Sequence, residues 1–235
     1  MNEVLKLMRQ RQSDRLPFDQ GRKVTDRDLK LILEAGRWAP TAHNMQNYQV
    51  VAVDDRIILS AIEAINRPIS DAFIQENSRQ LSSSEEELVQ KKVGLLASLF
   101  PPYMRMGGAV IPSKGMPLLP TPLLLFVLYD PRTRAPASEG DFLGIMSIGC
   151  VMENMWLAAQ SLGISFQIVS STSAPESTRE IRKLLGIPQE LHIAFSARLG
   201  YPTVSRGRYL RVRRNIEDFA HRNRFGVPFG DNAPE

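Results

Sequence analysis

Cysteine is almost missing from this sequence. One residue, Cys150, stands among 235, so no internal disulfide can form and a reducing compartment fits. Its neighbours Ile148, Gly149, Val151 and Met152 are apolar, which predicts a small buried hydrophobe rather than a reactive thiol. Histidine is scarce as well. His43, His192 and His221 lie far apart and in no ligand spacing, so no metal site is expected. A nucleophile elbow, a Walker A loop and a G-x-G-x-x-G run are all lacking. Long apolar runs are lacking too. Leu123 to Tyr129 and Met155 to Ala159 are the longest, well short of the roughly 20 residues of a membrane-spanning helix. The N-terminal MNEVLKLMRQRQSD has no signal-peptide core. The expectation is a cytoplasmic protein.

What is present is an ordinary globular composition, 43% hydrophobic and 23% charged, in a chain long enough for one sizeable core. A single domain over residues 1–235 is the simplest reading. The net charge is +4, and it is unevenly placed. From Arg206 to Arg224 seven arginines face only Glu217 and Asp218, so that stretch carries 7 − 2 = +5 and the remainder carries 22 − 23 = −1. A basic segment of this kind suits a phosphate, a nucleic-acid backbone or an acidic partner. A chain with no catalytic cluster and an anion-binding segment fits an enzyme whose reactivity comes from a cofactor.

Periodicity outlines the elements. Val4, Leu5 and Met8 form the stripe of a short helix ending near residues 11–13. Thr25 caps a second, with Leu29, Ile32, Leu33 and Gly36 on one face and Pro40 as its limit. Tyr48 to Val53 reads as a strand, 56–66 as a helix, and Leu123 to Tyr129 as a buried strand. A helix is plausible over 85–99. Proline and glycine then break regular structure up to Pro120. Gly140 to Leu162 is a helix apolar on nearly every side, so it is buried in the fold or in a subunit interface, with Gly163 as its C-terminal stop. Ile164 to Val169 is a strand, and Pro175 opens another helix that Gly186 and Pro188 end. Leu191 to Leu199 alternates, with Leu191, Ile193, Phe195, Ala197 and Leu199 facing one way and His192, Ala194, Ser196 and Arg198 the other. Helices and strands mix without regular βαβ order, which makes the class α+β.

Four segments together resemble the nitroreductase family. Arg11-Gln12-Ser13-Asp14-Arg15 followed by Phe18 is similar to its opening R-R-S-x-R-x-F. Ala39-Pro40-Thr41-Ala42-His43-Asn44-Met45-Gln46-Asn47-Tyr48 resembles A-P-S-x-x-N-x-Q-P-W. Met152 to Gly163 is similar to its central helix, which ends L-A-A-x-x-L-G. Gly200-Tyr201-Pro202 and then Arg211 to Glu217 are similar to its G-Y-P and basic segment. Gln12 stands where a second basic residue is usual, and Asn47-Tyr48 replaces Pro-Trp.

The resemblance implies a mixed sheet flanked by helices, an intertwined homodimer, and FMN at its interface reduced by NAD(P)H. It implies no catalytic side chain, the chemistry being at the flavin N5. Arg11, Gln12, Ser13 and Arg15 would meet the phosphate and ribityl chain, and Arg211 and Arg213 would form a second phosphate pair. An arginine fork suits a dianionic phosphate through paired, charge-assisted hydrogen bonds. Pro40, Thr41, Ala42 and Asn44 would touch the ring from the neighbouring subunit, Asn44 offering both donor and acceptor. Ser170 and Ser171 would present backbone N–H groups to N5. Residues 66–120 match none of these motifs and read as a variable insertion, with Tyr103, Met104 and Met106 as candidate residues of a substrate lid. The acceptor would be a small electron-poor molecule such as a nitroaromatic or quinone. Dehalogenating and flavin-breaking members of the family stay open as alternatives, as does a nucleic-acid-binding protein acting through residues 203–235, the basic C-terminal segment. Against the last, aromatics are sparse among the arginines, with Tyr209 and Phe225 beside them.

Overall fold

The computed structural model describes residues 2–14, 18–65, 121–136, 138, 140–169, 171–203, 215–227 and 229. Arg15, Tyr103, Met104, Met106, Ser170, Arg211 and Arg213, and the helix expected over 85–99, lie outside the described residues. The chain divides into two compact units, Met1–Ile69 with Ile111–Arg206, and Ser70–Val110 with Gly207–Glu235.

The first unit is built on a four-stranded sheet. Its strands are β1 (Tyr48–Val53), β2 (Leu123–Tyr129), β3 (Ser165–Val169) and β4 (His192–Gly200), in spatial order β1-β2-β4-β3. Every pairing among the described strands is antiparallel; no parallel pair of the expected mixed sheet is among the described residues. Helices α1 (Glu3–Gln10), α2 (Asp26–Arg37), α3 (Arg56–Ile65), α4 (Phe142–Ser161) and α5 (Pro175–Leu184) complete it. On one face of the sheet Leu125, Val127, Ala197 and Leu199 pack with Ile32 of α2 and Val151, Met155 and Ala159 of α4. On the other face Leu124, Phe126 and Leu128 pack with Leu59 and Ile62 of α3 and Ile181 of α5. Both faces are therefore covered, which is why β2 reads as an unbroken apolar run rather than an alternating one.

Local signals account for the ends. The Asn2 side chain accepts from the Val4 N–H at the start of α1, and the Thr25 hydroxyl accepts from the Asp28 N–H at the start of α2, 3.1 Å away. Gly163 takes φ +72° after α4, and Gly186 takes +64° after α5, the left-handed step that ends a helix and that glycine adopts without strain.

The alternation expected along β4 holds only in part. Val127 pairs with Phe195 but Leu128 pairs with Ile193, leaving Ala194 as a bulge. The extra residue turns Leu191 and Ile193 to the α3/α5 face, while Phe195, Ala197 and Leu199 keep the α2/α4 face. Ser196 and Arg198 are themselves buried. Cys150 is half-buried at the margin of the core.

α4 is by length and composition able to cross a bilayer. Here it is a core helix on one side only. Ser147, Ile148, Val151, Met155, Trp156 and Ala159 are buried, whereas Phe142, Ile145 and Met146 are exposed.

Two glycines mark close approaches. A Cβ at Gly36 would sit 2.9 Å from Cγ of Met155, and one at Gly200 would sit 2.7 Å from the Phe18 ring. Both neighbours are fully buried, but an unbranched methionine can re-pack its flexible end whereas a rigid ring cannot. Gly200→Ala is expected to cost about 1–3 kcal/mol through overpacking. Gly36→Ala should cost less, because alanine's better helix propensity, about 1 kcal/mol, offsets the contact. Thermal unfolding of the two variants side by side checks the ranking.

In the second unit the described residues are few. Asn215 and Asp218 form a reciprocal capping box on the short turn Ile216–Asp218. The Arg222 guanidinium lies over the Phe229 ring, 4.9 Å from its centre.

Candidate functional site

Two of the segments singled out in the sequence are anchored on α4. The first leaves α1 at Arg11, whose own N–H still donates to the Leu7 carbonyl. The Arg11 guanidinium lies over the Trp156 ring, 4.4 Å from its centre, and its Nε is 3.3 Å from Oε1 of Glu153. The Trp156 indole N–H donates to the Gln12 carbonyl at 3.3 Å, and its ring stacks on Phe166. Arg11, Gln12 and Ser13 are each half-buried, so the segment is anchored by the Arg11 side chain and the Gln12 backbone while remaining partly open to solvent.

Asp14 fastens the far end of this segment to β3. Its N–H donates to the Phe166 carbonyl, and its buried carboxylate accepts from the Ser165 hydroxyl at 2.6 Å. Beyond it, Phe18 bridges to Pro202 and the Asp19 N–H donates to the Tyr201 carbonyl. The Arg198 guanidinium stacks on the Phe18 ring at 4.2 Å while its Nε donates to Gln167. The opening motif is thus tied to the G-Y-P motif, some 180 residues away in sequence, by paired backbone and a packed ring.

The second segment, residues 40–47, is strained. His43, Asn44 and Gln46 all have positive φ, at 51°, 55° and 46°. Non-glycine residues in this region cost of order 1 kcal/mol or more each and persist only where surrounding structure enforces them. The enforcing contacts are visible. The Ala42 N–H donates to the Ser147 hydroxyl at 2.9 Å, and the Gln46 N–H donates to the Thr41 hydroxyl at 3.2 Å. The Asn47 amide donates to the Thr133 carbonyl, and its own carbonyl accepts from the Asp130 N–H. Arg132 beside Asp130 holds that carboxyl down at about 2. Pro40 and Asn44 are exposed on this turn, and Thr41 and Ala42 are half-buried. Tyr48, just after it, donates to the Gly36 carbonyl, and burial pushes its phenol up. Ser171 begins a short turn, Ser171–Ser173, just past β3.

The two segments meet α4 at different places. Ser147 and Trp156 are nine residues apart, about 14 Å along a helix. The supporting residues Ser147, Glu153, Trp156 and Asp14 were not among the sequence candidates. Glu153 carried a signal nonetheless: it is the single charge in the twenty residues of α4. Among the described residues, no group of histidine, cysteine, aspartate or glutamate could hold a metal ion.

The Nitroreductase family model matches residues 8–201, a span that contains both anchored segments. The chain belongs to the nitroreductase family. A relative from Archaeoglobus fulgidus, named as an NADH dehydrogenase/NAD(P)H nitroreductase, is 24% identical over 225 residues, covering 96% of this chain and all of its own. An NADPH-dependent oxidoreductase of Staphylococcus haemolyticus is 22% identical over 232 residues, covering 99% of this chain and 76% of that one. Among solved structures, a nitroreductase with bound FMN from Desulfitobacterium hafniense shares the fold at a TM-score of 0.55 and 24% identity, over 89% of this chain and 94% of its own. In this nitroreductase family member the α+β class and the order of the motifs agree with the sequence reading.

Proposed function

We propose that this protein is an FMN-dependent oxidoreductase of the nitroreductase type, working as a cytoplasmic homodimer. The observation that carries the proposal is the Arg11–Ser13 segment, fixed on α4 and β3 with its polar groups within reach of solvent. Its donor set fits a phosphate: a guanidinium, an amide and a hydroxyl on successive residues. Arg15, and Arg211 with Arg213, would add charge of the same sign. Asn44, with Pro40 to Ala42, would meet the ring from the partner subunit, and backbone N–H groups at Ser170 and Ser171 would face N5. Bound there, FMN would supply a two-electron carrier, accepting a hydride from NAD(P)H and passing electrons to a small electron-poor acceptor such as a nitroaromatic or quinone in ping-pong fashion. The protein's part is placement: the strained turn keeps Asn44 aimed, and the α4 contacts keep Arg11 aimed. Residues 66–120 are read as an insertion into the family domain, with Tyr103, Met104 and Met106 on the acceptor side.

The dimer is supported by apolar surface. Val4, Leu5 and Met8 of α1 and Phe142, Ile145 and Met146 of α4 are all exposed in the single chain, and such surface marks an interface. Two segments anchored about 14 Å apart along α4 are also suited to two different flavin sites in a symmetric pair.

The absorption spectrum of the purified protein tests the flavin directly. A colourless preparation that takes up no added FMN would overturn the proposal. Arg11→Ala or Arg15→Ala is expected to weaken FMN binding by about 1.5–3 kcal/mol, the worth of a charge-assisted hydrogen bond. Riboflavin lacks the phosphate, so its binding should hold. Titration of both ligands reads the difference, and equal losses would move the phosphate elsewhere.

A further inference from the structure

We infer that Glu153 is a positioning residue for the cofactor phosphate, acting through Arg11; the inference rests on the FMN reading above. Arginine side chains are long and rotamer-rich, and an untethered one must be ordered when its ligand arrives. Arg11 is exposed to that cost, because it leaves the end of α1 in extended backbone, φ −58° and ψ 132°. Two contacts from α4 hold it. Glu153 and Trp156 are three residues apart, hence on one helical face, and they meet the guanidinium in two different ways. Trp156 is buried and cannot swing, since its indole N–H is bonded to Gln12 and its ring is stacked on Phe166 at 5.2 Å and 25°. Its face therefore gives the guanidinium carbon a fixed seat, 4.4 Å from the ring centre. Glu153 then sets which edge of the guanidinium faces α4, by drawing Nε to its carboxylate at 3.3 Å. The terminal amino groups carry the donors that a phosphate oxygen accepts from.

A carboxylate near a phosphate also repels it, so the sign must be decided. The Glu153 side chain is 39% exposed and the Arg11 side chain 21%. At that exposure solvent and salt screen the repulsion between Glu153 and the phosphate. The tether loses nothing to screening in its geometric part, since it needs only an acceptor atom at that position. Position matters here more than charge.

Glutamine keeps the acceptor and drops the charge, whereas alanine drops both. Glu153→Ala is expected to weaken FMN binding about 2- to 5-fold, the scale of one partly exposed ion pair, with riboflavin binding unchanged. Glu153→Gln should bind FMN as the wild type does. The double variant Arg11→Ala/Glu153→Ala should bind FMN no more weakly than Arg11→Ala alone, because the two residues act on one contact. Fluorescence titration of the apoprotein with FMN and with riboflavin reads all three, and thermal unfolding of the apoprotein reports on the fold. If Glu153→Ala binds FMN as tightly as wild type or more tightly, Glu153 is a bystander or a competitor and the inference fails. Parallel losses for both ligands, or additive losses in the double variant, would reduce it to a structural residue. Failure of the wild type to bind either ligand would instead sink the FMN reading, and the two failures are distinguishable.

Discussion

Phe18→Ala is expected to lose about 3–5 kcal/mol of stability, the cost of emptying a fully buried aromatic site. The ring is 1% exposed, lies against Gly200, and is capped by the Arg198 guanidinium. Collapse into the vacated space would bring Arg198 with it, and a buried cation relaxes poorly into apolar surroundings. The loss should reach further than stability. Phe18, with Asp19 beside it, is tied to Pro202 and Tyr201 a few residues after the Arg11–Ser13 segment, so FMN affinity should fall even where the variant remains folded. Urea unfolding with an unchanged slope and a lower midpoint is the expected signature. A variant of wild-type stability would mean that the contact of Phe18 with Gly200 and Arg198 contributes little to the core.

The second large effect concerns assembly. Ile145→Asp is expected to shift the monomer–dimer equilibrium by about 3–6 kcal/mol, on the order of 10²- to 10⁴-fold, because symmetry removes the side chain twice. Ile145 is 53% exposed in the single chain and sits beside exposed Phe142 and Met146. Ile57 of α3 is more exposed still, at 81%, but its helix packs on the opposite face of the sheet from α4. Ile57→Asp is the matched control and should leave assembly untouched. Light scattering at several concentrations separates the outcomes. A dimeric, yellow Ile145→Asp protein would place the interface away from the N-terminal half of α4.

Much of the fold was legible because it follows from local rules. β1 and β2 fall on the residues expected, Tyr48–Val53 and Leu123–Tyr129, since a short apolar run bounded by turn residues leaves a strand few alternatives. Pro175 and Gly163 fix helix ends by covalent geometry alone. The bulge at Ala194 was not legible. It depends on how β2 and β4 slide past one another, a long-range property that a perfect alternation along one strand conceals. Arg198 shows the same limit. Alternation set it only on the face opposite the apolar positions, and its burial follows from the Phe18 ring and Gln167 that long-range folding brings to it.

The site divides in the same way. Arg11, Gln12, Ser13 and the 40–44 turn were singled out by the resemblance of their segments to family motifs, which lie in local sequence and so can be seen there. The strain at His43, Asn44 and Gln46 was invisible in sequence, since a positive φ at histidine or glutamine has no compositional sign. Nor could spacing show that Glu153 and Trp156 grip Arg11 from 142 and 145 positions away.

That α4 holds two segments at once makes it an index as well as a core helix. Ser147 fixes the turn at 40–47 and the pair Glu153 and Trp156 fixes the segment at 11–14. Deleting or inserting one residue between Ser147 and Glu153 would rotate one holding point relative to the other by about 100° and shift it by about 1.5 Å. No rotamer change absorbs that. The stretch between those two residues should therefore accept substitution at its less buried positions, Gly149, Cys150 and Met152, far more readily than any change in length. Single-residue deletions through 148–152 beside substitutions at Gly149, Cys150 and Met152, scored by soluble yellow protein, would map that difference onto the helix.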